Sequence, residues 1–339
     1  MKPIPVEADN IDHTDEDNHE RILHTVVADD FAGKRVDQAL ATIFPDISRS
    51  SLQQWIRDGR VMLDGKVPRQ RDRVNGGEVV TIEPPVPEPG DWVAQDIALN
   101  IVFQDEHILV INKPAGLVVH PGAGNAQGTL LNGLMYFDAD LAILPRGGIV
   151  HRLDKDTSGL LVIARSEAVR QRLIEALQEH IVQRTYIAIV LGRMISGGTI
   201  DEPIGRHNRD RKRMTVSETG KPAVTHYRVA ERYRAHTQIQ VSLETGRTHQ
   251  IRVHMSHNGF PLVGDPVYGG RLRLPPNATP ELTEVLRSFN RQALHASKLA
   301  FEHPVSGETM QWSAPLPKDM TSLIGVLQED TRRHGMEEY

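Results

Sequence analysis

The sequence predicts an α+β protein in two parts: a small module, then a larger domain on a mixed, largely antiparallel sheet with flanking helices. Three observations carry this. Strand-like runs often follow one another with no helix between them, which disfavours the alternating order of doubly wound folds. Residues 236–244 alternate, with Ile239, Val241 and Leu243 on one face and Gln238, Gln240 and Ser242 on the other, as in a strand with one wet face. Finally, Pro84, Pro85, Pro87, Pro89 and Gly90 break every periodicity and set a semi-rigid linker at 85–91.

The elements follow in order. Residues 1–29 read as an acidic, disordered tail: the first twenty hold seven carboxylates against Lys2 and few large apolar side chains. The chain's net charge is −5, so without that local −6 the remainder carries +1. In the 30–84 module, Val36, Ala39, Leu40, Ile43 and Phe44 recur at helical spacing until Pro45. Ser48 or Ser50 suits the cap of a second helix carrying Leu52, Trp55 and Ile56, closed by Asp58-Gly59. Residues 61–63, the turn Asp64-Gly65, and 79–82 read as short strands. In the domain spanning 92–327, strands are expected at 108–112, 117–120, 160–164, 186–191 and 236–244. Helices are expected at 130–137, 168–179, 248–258 and 318–327, leaving 328–339 as a C-terminal tail.

Composition narrows the chemistry. The chain has no cysteine, which excludes disulfides, thiolate nucleophiles and cysteine zinc sites. No run approaches the roughly 20 apolar residues of a membrane span, and the N-terminus lacks an apolar signal segment, so a soluble cytoplasmic protein is expected. Gly122 to Gly128 has the wrong spacing for a dinucleotide fingerprint and lacks the Gly-Lys-Ser/Thr ending of a phosphate loop. His249, His254 and His257 share a predicted helix, but His249 is badly placed to join the other two and no carboxylate lies among them.

The most informative stretch is 148–164. The turn formers Asp156-Thr157-Ser158-Gly159 precede the apolar run 160–164, so Asp154 projects from a loop pinned at a sheet edge, beside Arg152 and Lys155. A carboxylate among cations favours the ionised form that a nucleophile or base needs; the plainer reading is an ion-paired turn residue. Asp154-Lys155-Asp156-Thr157 also resembles the opening of haloacid-dehalogenase-like phosphatases. Their first Asp ends an unbroken apolar strand, and here His151 and Arg152 interrupt the run.

Three segments in order decide between these readings. His151-Arg152-Leu153-Asp154, Arg184-Thr185-Tyr186 and the stretch from Glu244 to His254 together resemble the signature of the RluA-type pseudouridine synthases. In the first module, Arg35 to Leu40, Ser48-Arg49-Ser50 and Ile56 to Val61 followed by Asp64-Gly65 resemble the S4 RNA-binding domain. The likeness implies isomerisation of uridine in RNA: the N-glycosidic bond breaks, uracil rotates, and C5 rejoins the ribose. Asp154 then matches the catalytic aspartate, Tyr186 the active-site tyrosine that packs on the base, and Arg247 the arginine paired with Asp154. Arg252 is a second candidate for that pairing. Arg152 is placed to fill the position of an everted base, with His151 beside it. RNA contacts are further expected from Arg49, Arg57 and Arg60 in the module, and from Arg209, Arg211, Lys212 and Arg213 in the densest basic run. Family members acting on the large ribosomal subunit imply 23S ribosomal RNA or its precursor as partner, with several uridines of one stem-loop as targets. The resemblance implies no cofactor or metal, since the reaction has no redox or phosphoryl-transfer step, and a monomer is expected.

Overall fold

The computed structural model describes residues 23–44, 47, 49–83, 93–122, 125–207, 210 and 213–335. The acidic segment before residue 23, the proline-rich linker, Ser48, Arg209, Arg211 and Lys212 lie outside the described residues. The chain divides into two compact units, 1–90 and 91–339.

In the first unit, strand β1 (Leu23–Val26) precedes helices α1 (Val36–Ile43) and α2 (Arg49–Arg57) and strands β2 (Val61–Leu63) and β3 (Val79–Ile82). The strands form an antiparallel sheet in the order β1-β3-β2. Strand β1 corrects the expected boundary at residue 30: Leu23 and Thr25 turn inward and the strand zips against Ile82 to Val79, a period-2 pattern too short to stand out beside a polar tail. Val36, Leu40, Leu52, Ile56, Val61, Val80 and Ile82 are buried together, as the helical and strand periods predict. One buried carboxylate organises the helices. Asp37 accepts from Arg35, from Arg49 at 2.7 Å and from Gln53 at 2.6 Å. Its pKa is lowered: burial opposes ionisation, and the three donors outweigh it. Arg49 is therefore engaged in the fold as well as being part-exposed.

The second unit is built on a nine-stranded sheet. Its strands in chain order are β4 (Ile101–Gln104), β5 (Ile108–Lys113), β6 (Ser158–Ala164), β7 (Gln183–Leu191), β8 (Gly198–Asp201), β11 (Val224–Arg232), β12 (His236–Leu243), β13 (Leu294–Glu302) and β14 (Thr309–Ser313). A separate hairpin pairs β9 (Ile204–Arg206) with β10 (Met214–Val216). The sheet order is β4-β5-β6-β13-β7-β12-β11-β8, with β14 on β13. Every pairing is antiparallel except β6 with β13. Helices α3 (Leu130–Phe137), α4 (Glu167–Gln178), α5 (Gln250–His257), α6 (Pro280–Ser288) and α7 (Lys318–His334) flank it.

Strand β6 shows why the sheet is covered on both sides. All seven residues are buried; Leu161 and Ile163 pack with α3, while Leu160 and Val162 pack with Val169 and Leu173 of α4. Gly159 lies at φ 118, and a Cβ there would come within 2.2 Å of the Ala296 carbonyl, so the first turn of β6 against β13 admits only glycine. This is the physical reason for glycine in Asp156-Thr157-Ser158-Gly159.

Three expectations are corrected. Residues 117–120 form no strand; only Val118 bridges, to Thr129, and the segment is bracketed by Pro114 and Pro121. The helix expected from 248 begins at Gln250, because the Gln250 side chain accepts from the Arg247 amide (2.9 Å) and the Thr245 hydroxyl (2.7 Å) and so holds the preceding loop open. Helix α7 runs to His334, so 328–334 is no tail. Asp330 on it is buried in a bidentate pair with Arg234 at 2.9 and 3.0 Å.

Candidate active site

The loop carrying Asp154 is fixed from beneath by three side chains. Lys113, wholly buried at the end of β5, donates to the carbonyls of Pro114, Leu117 and Lys155, each at 2.9 Å. Burial pushes its pKa down to about 8, with the Asp156 and Asp154 charges opposing that fall. Arg291 donates to the Asp156 carbonyl at 3.1 Å and Gln292 to the Thr157 hydroxyl at 3.0 Å. The Thr157 amide closes a turn on the Asp154 carbonyl at 3.0 Å. His151, expected at the RNA, accepts the Val162 amide on Nε2 at 3.1 Å. That bond needs an unprotonated Nε2, and burial, with the Arg184 charge, lowers the imidazole to about 3.

The cation against Asp154 is Arg252, where the sequence favoured Arg247. Arg252 Nη1 donates to Asp154 Oδ2 at 3.0 Å. Its Nε and Nη2 grip Asp265 at 2.7 and 2.9 Å, a bidentate pair in which Asp265 is 4% exposed. Asp265 also accepts the Val267 and Tyr268 amides. Burial works against the Asp265 charge, yet the Arg252 bonds and the amides lower its pKa; burial likewise opposes the Arg252 charge, and the two carboxylates raise its pKa. Arg247 precedes the helix, its amide bound to Gln250 and its Nε donating to the Pro222 carbonyl at 2.9 Å. It reaches the same cavity from another wall. The five-residue offset between the two arginines, added to the break at His249, points them apart.

His249 and Tyr268 complete the surround. His249 sits at φ 58 before α5, a left-handed position that a non-glycine residue rarely takes. Its Nε2 lies 3.9 Å from Asp154 Oδ1, and its Nδ1 shares a hydrogen bond of 2.9 Å with the Tyr268 hydroxyl, which accepts the Met214 amide at 2.8 Å. Burial above all lowers its pKa. The Tyr268 ring lies under the guanidiniums of Arg252 and Arg213, 5.1 and 5.4 Å from its centroid. Oδ1 of Asp154 accepts no protein hydrogen bond among the described residues.

Tyr186 comes from β7, 6% exposed, between Val241 and Ala296 of the neighbouring strands. Burial raises the pKa of its phenol and the Asp154 charge adds to this, against the opposing Arg184 charge, so the hydroxyl is protonated at neutral pH. Asp154, Tyr186, Arg247 and Arg252 all line one cavity of about 960 Å³. Its wall holds five arginines (Arg146, Arg152, Arg184, Arg247 and Arg252) against one carboxylate, Asp154. Arg152 is exposed at this cavity. A concave site with that charge balance suits a polyanion. Arg57 is exposed on the first unit and Arg60 half-buried there.

Lys113, Arg184, His249 and the Asp265–Tyr268 support were not read as site residues from sequence. Lys113 had a signal, a lone charge closing an apolar strand; Arg184 and His249 stood inside the motifs that carry the family likeness but with no role assigned, and Asp265 and Tyr268 find their partners in distant segments. His254 is occupied by the Thr225 hydroxyl and the Glu202 carbonyl, each at 2.9 Å, so it is a packing histidine. Among the described residues, no group of three or more His, Asp or Glu is arranged to hold a metal, and no helix is long and apolar enough to cross a membrane.

Comparison with known proteins gives the family. Residues 107–257 match the family model of the RNA pseudouridylate synthases, and residues 34–80 match the S4 domain. The ribosomal large subunit pseudouridine synthase D of Pseudomonas aeruginosa is 56% identical over 301 residues, 89% of this chain and 94% of that protein. Its namesake from Xanthomonas campestris pv. campestris is 52% identical over 322 residues, 95% and 97% of the two chains. Among solved structures, human RNA pseudouridylate synthase domain containing 4 superposes with a TM-score of 0.53 at 26% identity, covering 68% of this chain and 93% of that one. With a matching family model and relatives of this identity along nearly its whole length, the chain belongs to the RNA pseudouridylate synthase family of isomerases.

Proposed function

We propose that this chain isomerises uridines to pseudouridines in 23S ribosomal RNA, at several positions of one stem-loop, with Asp154 as the reacting carboxylate. The observation that carries the reading is the Asp154 side chain, held on Oδ2 by Arg252 with Oδ1 left open, beside Tyr186 in an arginine-lined cavity. The names of the relatives favour the large-subunit RNA as substrate. A uridine within a helix or loop reaches such a cavity only after eversion, which costs a few kcal/mol and is offset by stacking and phosphate contacts. Arg152 fills the position the base vacates, and the Tyr186 ring packs on the everted uracil. Attack by the carboxylate at C1′ or on the uracil ring, and proton removal at C2′, all begin from an unencumbered carboxylate oxygen, which Oδ1 supplies. Along each route the glycosidic bond breaks and the base turns; C5 then bonds to C1′ as the carboxylate leaves the carbon it attacked, or as C2′ regains the proton it gave, and the C5 proton leaves as N1 gains one. No atom is lost or gained overall.

The test is tritium release from 23S RNA labelled at uracil C5. The wild-type chain releases label, and Asp154→Asn reduces release by at least about 10³-fold, the scale of loss of a reacting group, while its thermal midpoint and RNA affinity stay near those of the wild type. Comparable turnover in Asp154→Asn rejects the assignment.

A further inference from the structure

Of the five arginines at the cavity, four are accounted for. Arg146 and Arg152 are exposed, Arg247 is half-buried on a backbone carbonyl, and Arg252 is held by two carboxylates. Arg184 differs. It is 8% exposed, and no carboxylate lies within ion-pairing distance among the described residues. Its buried Nε has no hydrogen-bond partner, and Nη2 reaches only the Glu244 carbonyl, at a long 3.4 Å.

The fold makes room for this group. Arg184 is two residues from Tyr186 on β7, so both side chains leave the same face of the strand toward the cavity. Gly246 flanks it: a Cβ there would lie 2.9 Å from Arg184 Nη1. His151 faces the same charge as a neutral ring. A guanidinium removed from water without a counter-charge is costly, and persists where a ligand supplies the missing partner. A uracil carbonyl would fill a hydrogen bond but leave the charge uncompensated. A phosphodiester supplies both the charge and two oxygens matching the guanidinium fork.

We infer that Arg184 is a phosphate-binding residue inside the cavity, taking the backbone phosphate next to the everted nucleotide and so fixing the ribose against Asp154. This rests on the RNA-isomerase reading above. The experiment pairs a single methylphosphonate linkage, placed 5′ or 3′ of the target uridine in a short stem-loop RNA, with wild type, Arg184→Met and Arg184→Lys. Single-turnover tritium release is the readout. A neutral linkage at one of the two positions lowers wild-type kcat/KM at least about tenfold, as loss of a charge-assisted hydrogen bond does. The same linkage costs Arg184→Met less than twofold, because the partner is already gone. Arg184→Lys recovers part of the loss, and the slope of log affinity on log salt falls by about 0.7 in Arg184→Met.

Equal losses in wild type and Arg184→Met would overturn the inference. So would a wild type indifferent to both linkages, a result that needs no variant to fold. Absence of release from the unmodified RNA would instead defeat the isomerase reading itself.

Discussion

Replacing Lys113 by methionine tests whether the loop under Asp154 rests on a strained buried charge. The ammonium donates to three carbonyls, one for each of its N–H bonds, so deprotonation removes a donor the loop uses. Burial nevertheless lowers the group from an ordinary 10.5 to about 8. Between those two values the unfolded chain carries a proton that the folded chain lacks. Stability attributable to this residue therefore rises with pH across that window, by about 1.4 kcal/mol per unit and about 3 kcal/mol in all. Below pH 8 the burial penalty is present in full. Lys113→Met abolishes this titration and also leaves three carbonyls without their donor. Urea unfolding of both proteins from pH 7 to 10.5, at fixed salt, yields the difference curve. Wild type should gain on the variant as pH rises, by up to about 3 kcal/mol. The Asp154 loop should loosen in the variant, with kcat falling more than RNA affinity. Parallel stability curves across pH 8–10.5 would refute the argument that burial governs this lysine.

Two further outcomes follow from the contacts. Arg252→Met leaves Asp265 buried and without its bidentate partner, a loss of about 3–5 kcal/mol by chemical denaturation, whereas Arg247→Met should change stability by less than about 1 kcal/mol; similar losses in both would put the Asp154 pairing in error. Arg57→Gln combined with Arg60→Gln should weaken RNA binding and flatten its salt dependence by about 1–2 in the log–log slope, with single-turnover rates at saturating enzyme unchanged. An unaltered slope in filter-binding titrations would remove these arginines from the RNA footprint.

The two-part organisation was legible because its signals are local. Helical spacing of Val36, Ala39, Leu40 and Ile43 gave α1, and alternation across 236–244 gave β12. Helix α3 came at its full extent, since Thr129 caps an apolar run that Phe137 ends. Strand β13 was missed although it lies at the centre of the sheet: Leu294 to Glu302 mixes His295, Ser297 and Lys298 among its apolar residues, and their partners are set only when β6, β7 and β14 close around them.

By itself the sequence pointed to Asp154 and Tyr186 as candidate site residues. Asp154 and Tyr186 stand in short contiguous motifs, and the turn before β6 already holds the carboxylate in a loop. The tertiary structure decided what surrounds them, choosing Arg252 over Arg247, burying Lys113 beneath the loop, and leaving Arg184 in the cavity without a counter-charge. Periodicity and turn chemistry act over a few residues and are written in the chain. Ion pairing and burial join side chains about a hundred positions apart, as from Asp154 to Arg252, and only the closed sheet fixes those distances.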